Sequence, residues 1–374
     1  MDMIEAGSVT LRQLGADDVA DVTAACNDPL IQRFLPLLPS PYTEADARAF
    51  ALEAAPAKWA AGGGEFAITD SSTGRLLGCV GINPKGAQKA EIGYWVAPWG
   101  RGRGAATDAV RAVSAWAFNQ AYARLEIRTD LTNGPSQRVA IAAGYAREGV
   151  QRSDGVTREG GRYDLIMWAR LADDPSGPAP RLLPDLPGDE LSDGTVALRP
   201  IGIDDTDDVH RTHQLPEVIA AQIPPEPFGR DRWARRCTQA EANWLAGAQA
   251  ALSIRDAVTD TFAGEIVLYY SEPPTGQAMI GYDLDPAWRG RGYASRAVRL
   301  LAAWAFEYTG IARLIAGTAP SNVASQRVLE AAGFQREGYQ RSRLPGVSGT
   351  RMDDLLYALL PDDLVVDPTR TPSR

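Results

Sequence analysis

Apolar residues recur at helical spacing in two widely separated segments of the chain. The spacing i, i+3, i+4, i+7 runs through residues 106–117 and again through residues 294–305. Each segment predicts an amphipathic helix with one buried face. The apolar positions are Ala106, Ala109, Val110, Val113, Trp116 and Ala117 in the first segment, and Ala294, Ala297, Val298, Leu301, Trp304 and Ala305 in the second.

Short runs of apolar and β-branched residues surround these helices and predict strands. Strands and helices alternate late in each half, with a second helix before the closing strand, which predicts a mixed α/β sheet. The strands are expected around residues 9–12, 65–69, 76–82, 90–96, 125–129 and 163–170, and around residues 196–199, 252–255, 265–270, 279–284, 314–318 and 352–359.

The two halves are copies of one another. Residues 93–118, GYWVAPWGRGRGAATDAVRAVSAWAF, match residues 281–306, GYDLDPAWRGRGYASRAVRLLAAWAF, and residues 132–152 match residues 321–341. A repeat this long is a duplicated domain, because solenoid repeats span about 20–50 residues. We expect domains at 1–172 and 195–366, a Pro-, Gly- and acid-rich linker at 173–194 and a disordered tail at 367–374. Several linker residues could also lie across one of the domains.

Composition narrows the class of protein. The 374 residues suit two domains, and 45% hydrophobic residues argue against a fibrous or disordered chain. A net charge of −9 disfavours general binding of nucleic acid or of anionic membranes. The three cysteines are far apart and only two histidines occur, so we expect no disulfide framework, no metal site and a cytoplasmic location. His210 and His213 are expected on the surface of a helix, and neither a secretory signal nor a membrane span is visible.

The main chemical signal is Arg-Gly-Arg-Gly, which follows a strand and opens a helix in each half. A glycine-rich turn at a helix N-terminus exposes backbone N–H groups at the positive end of the helix dipole, where phosphate binds readily. A dinucleotide fingerprint would need a third glycine, but Thr107 and Ser295 stand there, and no P-loop sequence occurs. The pattern that fits both copies is Arg-x-x-Gly-x-Ala, from Arg101 and from Arg289.

This pattern resembles the GCN5-related N-acetyltransferases (GNATs), and most of all the branch that acetylates N-termini of ribosomal proteins and small amines. The supporting residues are AEIGYWVAP (90–98), WGRGRGAATDAV (99–110), and Asn133 with Ser136 and AAGYAREG (142–149), each with a counterpart in the second half. The resemblance implies two tandem GNAT-like domains, each a mixed, mostly antiparallel sheet flanked by helices. It also implies direct transfer of an acetyl group from acetyl-CoA, or from another short acyl-CoA, to a primary amine.

The resemblance also implies where the cofactor lies. The pantetheine arm would lie beside residues 94–97 or 282–285 at a splayed strand pair, and a backbone N–H near Val96 or Leu284 would polarise the acetyl carbonyl. Asn133 and Asn322 would contact the pantetheine, although Asn is equally a common helix cap. The pyrophosphate would bind at Arg101, Gly102, Arg103, Gly104, Ala105, Ala106 and Thr107, or at Arg289, Gly290, Arg291, Gly292, Tyr293, Ala294 and Ser295.

An amine must lose a proton to attack, so the reaction needs a base. Glu91 is the candidate, since it matches a glutamate that some members of the family use, and its alternative is a solvated strand residue. The second half has Met279 at that place, so it would rely on water or on another carboxylate such as Asp283.

The leaving thiolate needs a proton donor. Many family members use a tyrosine of the second helix, but Ala140 and Leu329 occupy the matching places. The branch named above implies Ser136 and Ser325 instead, and the alternative is that these serines only begin the helix.

The predicted activity is therefore N-acetyl transfer, with the N-terminal half favoured as catalytic. In the alternative, one half, more readily the second, binds acyl-CoA without catalysis. The acceptor is a small amine or a protein N-terminus, and neither nucleic acid nor membrane is expected as a partner. The family resemblance further implies that the two halves form a pseudo-dimer within one chain, which could then be monomeric.

Overall fold

The computed structural model describes residues 3–365. The chain forms two compact units, and the boundary between them along the sequence falls between Pro180 and Arg181. The tail expected to be disordered, 367–374, lies outside the described residues. Within the described part, no helix is both long and apolar enough to cross a membrane.

The N-terminal unit is built on one sheet of eight strands within the described residues, in the order β1-β2-β3-β4-β5-β6-β8-β7. All neighbouring strands pair antiparallel except β5 and β6, which run parallel. The strands are β1 (Ile4–Ala6), β2 (Val9–Gln13), β3 (Gly64–Asp70), β4 (Leu76–Pro84), β5 (Lys89–Val96), β6 (Arg124–Asp130), β7 (Ala146–Val156) and β8 (Arg162–Leu171).

Helices cover both faces of this sheet. On one face, α5 buries Ala109, Val110 and Val113 over β4 and β5. On the other face, α1 and α3 bury Val22 and Ala47 beside Ala67 of β3. The helices are α1 (Val19–Cys26), α2 (Pro29–Phe34), α3 (Glu44–Ala49), α4 (Ala55–Ala60), α5 (Ala105–Asn119) and α6 (Gly134–Ala142), with a π-helical segment, Phe50–Ala54, joining α3 to α4.

The C-terminal unit repeats this plan. Its sheet, again of eight strands within the described residues, has the order β15-β16-β14-β13-β12-β11-β10-β9, and only β13 and β14 run parallel. The strands are β9 (Leu191–Ser192), β10 (Val196–Pro200), β11 (Gln249–Asp256), β12 (Phe262–Glu272), β13 (Gln277–Leu284), β14 (Arg313–Thr318), β15 (Gln335–Pro345) and β16 (Arg351–Leu359). The helices are α7 (Thr206–Thr212), α8 (Pro216–Ile219), α9 (Arg230–Leu245), α10 (Tyr293–Tyr308) and α11 (Val323–Ala331).

This architecture confirms the predicted fold class of two tandem α/β domains with mostly antiparallel sheets. The sequence did not predict β7 and β15, which are largely exposed edge strands rich in Arg, Gly and Gln and lack an apolar alternation. Residues of the expected linker belong to the C-terminal unit, because Leu183, Leu186 and Leu191 are buried in its core.

The middle of each sheet splays apart. Strand β5 pairs with β6 only over Lys89–Glu91, although both strands continue beyond that point. Strand β13 likewise pairs with β14 only from Gln277 to Met279. A wedge-shaped gap therefore opens beside the C-terminal half of β5 and of β13.

Candidate functional site

Backbone N–H groups point into each gap. The N–H of Ala97 donates to Leu77 O at 2.8 Å, and Gly78 lies opposite Val96. Bonds in an antiparallel ladder alternate between the two edges of a strand, so the N–H of Val96 faces away from β4 and into the gap. Leu284 has the same orientation, because the Asp285 N–H donates to Ala263 O at 2.9 Å. Both are the residues expected to polarise the acetyl carbonyl.

A glycine-containing loop follows each of these strands and opens a helix. Gly102 and Gly104 have φ of 73° and 75°, and Gly290 and Gly292 have φ of 73° and 80°, values that side chains disfavour. An added Cβ at any of the four would meet nothing within 4 Å, so the space over the loop is open. No side chain of residues 3–365 caps the helix at Gly104 or Gly292, which leaves the first N–H groups of α5 and α10 available to an anion.

The arginines of these loops have different neighbours. Arg101 forms an ion pair with Asp28, and Arg103 lies 3.9 Å from Asp70. Arg289 donates to Leu284 O at 3.2 Å, and Arg291 lies over the ring of Trp288. The loop backbone is therefore the common feature of both copies, while the arginine charges lie around it.

The structure places a tyrosine on each serine that was considered as the proton donor. The Tyr94 hydroxyl lies 2.9 Å from Ser136 Oγ, and the Tyr282 hydroxyl lies 3.0 Å from Ser325 Oγ. Burial raises the pKa of Tyr94 and raises that of Tyr282 to about 12, so both hydroxyls keep their protons at neutral pH. These tyrosine contacts were not predicted, although a Gly-Tyr pair at the same place in both copies was the available signal.

The asparagines that precede these serines act as helix caps. Asn133 Oδ1 accepts from the Ser136 N–H at 3.1 Å, and Asn322 Oδ1 accepts from the Ser325 N–H at 3.1 Å. Their amide N–H groups are not needed for the caps and remain candidates for contact with the pantetheine.

Glu91 lies on β5 with each carboxylate oxygen on a cation. Oε1 accepts from Arg128 at 2.9 Å, and Oε2 lies 3.0 Å from Lys85 Nζ. Met279 occupies the matching place on β13, opposite Tyr269.

A cavity of about 220 Å³ lies in the N-terminal unit, on the face of the sheet that α1 and α3 cover. Glu65 lies in its wall, and its carboxylate is 2.5 Å from Lys58 Nζ. Burial raises the pKa of Glu65 although Lys58 opposes the shift. The cavity is lined by Cys26, Leu35, Leu38, Tyr42, Phe50, Lys58, Glu65, Gly81, Asn83, Gly93, Tyr94 and Trp95.

The C-terminal unit has a charged cluster on the corresponding face. His213 Nε2 lies 3.0 Å from Glu265 Oε1 and 3.6 Å from Asp283 Oδ2, and Arg236 donates to both oxygens of Glu265 at 2.8 Å. The expectation that His213 lies on the surface was wrong: it follows the last residue of α7, and its ring is buried and stacked on Trp233 at 3.9 Å. The short helix left no apolar period from which this burial could have been predicted.

The cluster perturbs its own carboxyl groups. Although burial opposes ionisation, Arg236 and His213 lower the pKa of Glu265. Burial and the neighbouring Glu265 charge raise the pKa of Asp283. Three side chains of the cluster place possible metal-ligand atoms within 4.8 Å of one another: His213, Glu265 and Asp283. The guanidinium of Arg236 already binds both oxygens of Glu265, so it competes with any metal cation there.

Comparison with known proteins identifies related sequences for both units. A family model for the acetyltransferase (GNAT) domain matches residues 8–146 and 195–335. The chain is 44% identical over 87 residues to "Probable N-acetyltransferase YjcK" of Bacillus subtilis (strain 168), a match that covers 23% of this chain and 48% of the relative. It is 35% identical over 85 residues to "Putative ribosomal N-acetyltransferase YdaF" of the same organism, covering 22% of this chain and 46% of the relative. The chain thus spans about half the length of these curated relatives.

Solved structures resemble one unit at a time. Mycobacterium smegmatis RimJ in complex with CoA-disulfide matches with a TM-score of 0.43 and 23% identity, over 47% of this chain and 87% of that one. The microcin C7 self-immunity acetyltransferase MccE, in complex with acetyl-CoA and AMP, matches with a TM-score of 0.41 and 17% identity, over 45% of this chain and 93% of that one.

Proposed function

Because this chain belongs to the GNAT family of acetyltransferases, we propose that it transfers the acetyl group of acetyl-CoA to a primary amine by direct attack in a ternary complex. One observation carries the proposal. In each unit an unpaired strand edge, at Val96 or Leu284, leads into a helix N-terminus that no side chain caps. A thioester carbonyl and a pyrophosphate need these two kinds of donor at the two ends of one groove.

We favour the N-terminal unit as a catalytic centre, because β5, the strand that carries Val96, also lines the cavity. The acceptor amine would enter this cavity over Gly93, where an added Cβ would meet nothing within 4 Å. Its nitrogen would bond to the acetyl carbon while the C–S bond of the thioester breaks. The Val96 N–H would stabilise the charge on the carbonyl oxygen, and the Tyr94–Ser136 hydroxyl pair would supply a proton to the departing sulfur.

The proton of the amine needs an acceptor, and the cavity supports Glu65 in this role. Glu65 lines the cavity, and burial raises its pKa, which makes its carboxylate a stronger base. Glu91, favoured from the sequence, is the alternative base. Because both of its oxygens already bind cations, it is the weaker candidate on geometry.

The acceptor is proposed as a small amine or a protein N-terminus. The leucine, tyrosine, phenylalanine and tryptophan walls of the cavity favour an apolar group next to the amine. The name of the relative YdaF refers to ribosomal N-acetylation, which supports a protein N-terminus as one member of the test panel.

A second candidate applies to the C-terminal unit alone. Met279 replaces the Glu91 carboxylate there, which favours a domain that binds acyl-CoA without catalysis. Variants that silence one unit at a time separate this candidate from catalysis in both units.

The test measures CoA release from acetyl-CoA with benzylamine, spermidine and a hexapeptide with a free amino terminus. Thr107→Glu places a carboxylate in the first turn of α5, where it interacts favourably with the helix dipole but repels a pyrophosphate. Thr107→Gln is the matched neutral control. Ser295→Glu and Ser295→Gln do the same in α10. We expect the double Glu variant to lose transfer and the double Gln variant to keep it. Equal turnover in both double variants would contradict the proposal.

A further inference from the structure

We propose that the C-terminal unit is a second acetyl-transfer centre, in which Asp283 is the general base and His213, Glu265 and Arg236 position it. This inference rests on the acetyl transfer proposed above, but it assigns the chemistry to a different cluster and a different unit.

The register of the sheet places this cluster beside the cofactor groove. Asp283 lies opposite Glu265, one residue before the Gly264–Leu284 pair that turns the Leu284 N–H into the gap. The same position in the N-terminal unit holds the pair Cys79–Trp95, and Trp95 lines the cavity there. Asp283 therefore occupies the place at which the first unit has a cavity wall, next to the residue proposed to bind the carbonyl oxygen.

The cluster keeps the carboxylate of Glu265 ionised and favours protonation of Asp283. Glu265 is fixed by Arg236 and His213, and its side chain is only 6% exposed. Its negative charge lies next to Asp283, and two adjacent carboxylates do not ionise equally. Burial and the Glu265 charge raise the pKa of Asp283, while the cations of His213 and Arg236 oppose that shift. Other polar groups near the cluster, among the described residues, include Gln222, which is bonded to His213, and Cys237 of α9. Tyr269 lies on the same strand as Glu265, and Ser253 lies opposite Glu265 on β11.

One oxygen of Asp283 lacks a partner. Oδ1 is buried and has no hydrogen bond from any described residue, while the Asp283 side chain as a whole is 23% exposed. A buried acceptor without a donor costs free energy, and such groups need an explanation in a native structure. The cluster therefore does not saturate Asp283, and the exposed part of its side chain is where an acceptor amine would approach.

The amine nitrogen forms a bond to the acetyl carbon, the C–S bond breaks and its electron pair stays on sulfur. Asp283 takes the proton of the amine, and the Tyr282–Ser325 hydroxyl pair passes a proton to the sulfur. The products are the N-acetylated amine and CoA. Asp283 then releases its proton to water and the hydroxyl pair takes a proton from water, which restores both groups.

The experiment uses the full chain with Thr107→Glu, which silences the first centre. CoA release is followed with acetyl-CoA and each of the three probe amines across a pH range, and acetyl-CoA binding is measured by calorimetry. We expect T107E to keep transfer above T107E/S295E. Adding Asp283→Asn should lower kcat on the order of 100-fold or more and leave acetyl-CoA binding unchanged.

The positioning residues are tested by the pH midpoint of kcat, which a residue with a merely structural role would not change. Glu265→Gln removes the like charge beside Asp283, so the pH midpoint of kcat should fall. His213→Gln removes a cation, so the midpoint should rise. Two shifts in opposite directions support the proposal, and two shifts in one direction overturn it.

Other outcomes are equally decisive. No transfer by T107E, while Ser295→Glu stays active, would overturn the second centre but leave the proposed function intact. Loss of transfer in the wild-type chain and in S295E would be the failure of the proposed function itself. Transfer by T107E/D283N within about threefold of T107E would show that Asp283 is not the base. Transfer by T107E that is lost with EDTA and restored by Zn²⁺ would replace the acid–base assignment with a metal site.

Discussion

The hydroxyl groups of Tyr94 and Ser136 lie 2.9 Å apart and link strand β5 to the first turn of α6. The same pair recurs as Tyr282 and Ser325 in the second unit. A proton donor shared by two hydroxyls predicts that removal of either one disables most of the pair.

We therefore expect Tyr94→Phe and Ser136→Ala each to lower kcat of the N-terminal centre by roughly 10- to 100-fold, without a change in the KM for acetyl-CoA. The kcat of the double variant should be only slightly below that of the less active single variant, because the pair acts as a unit. The measurement is steady-state CoA release in the Ser295→Glu background, and Tyr282→Phe is the matched control. Additive losses would mean that the two hydroxyls act separately.

Asn133 has two separable roles to test. Asn133→Asp keeps the oxygen that accepts from the Ser136 N–H but removes the amide donor, whereas Asn133→Ala removes both. We expect the alanine variant to lose about 1 kcal/mol of unfolding free energy and the aspartate variant to lose little. If the amide contacts the pantetheine, N133D still weakens acetyl-CoA binding, measured by calorimetry in the S295E background. Unchanged affinity in N133D would make Asn133 a cap only.

Gly93 offers a direct test of the acceptor cavity. An added Cβ there meets nothing within 4 Å and the backbone is ordinary strand, so Gly93→Val should fold well and project into the cavity. We expect the KM for the amine to rise about tenfold or more while acetyl-CoA affinity stays the same. Gly281→Val is the counterpart in the second unit and should leave turnover by the first unit unaffected. A G93V enzyme with unchanged amine KM would place the acceptor elsewhere.

The raised pKa of Asp283 also predicts the pH dependence of stability. A carboxyl group whose folded pKa lies above its unfolded pKa loses its stabilising contribution as pH rises through the folded value. Asp283→Asn removes that penalty, so the variant should be more stable than the wild type at pH 8, by about 1 kcal/mol or more. The difference should vanish near pH 4, where the wild-type group is protonated in the folded state. Chemical denaturation followed by circular dichroism at both pH values measures it, and equal stability at pH 8 would contradict the environment described for Asp283.

The duplication, the fold class and the glycine loops in front of α5 and α10 were predictable because each rests on local sequence. The Gly102 and Gly104 turn, for example, is encoded by glycines that adopt positive φ in front of an apolar helix period. Of the residues proposed for proton transfer, Ser136, Ser325 and Asp283 were candidates from the sequence. Glu65 and Glu265 were not, because strand register brings them to the site. Cys79 and Glu265 look unrelated in sequence until β4 with β5, and β12 with β13, place them opposite Trp95 and Asp283.

His213 shows the same limit. It lies just beyond α7, a helix of seven residues, and only the packing of α9 and β12 around it brings Arg236 and Glu265 to its ring. Glu91 shows the converse, because a family pattern drew attention to it while the fold placed Lys85 and Arg128 on its carboxylate.

The number of acetyl-CoA molecules that one chain binds, measured by isothermal titration calorimetry, tests whether each unit holds a cofactor groove. We predict two sites in the wild-type chain, one in Thr107→Glu, one in Ser295→Glu and none in the double variant, with both sites kept in the matched glutamine variants. One site in the wild type, or two sites that persist in T107E, would contradict the assignment of a cofactor groove to each unit.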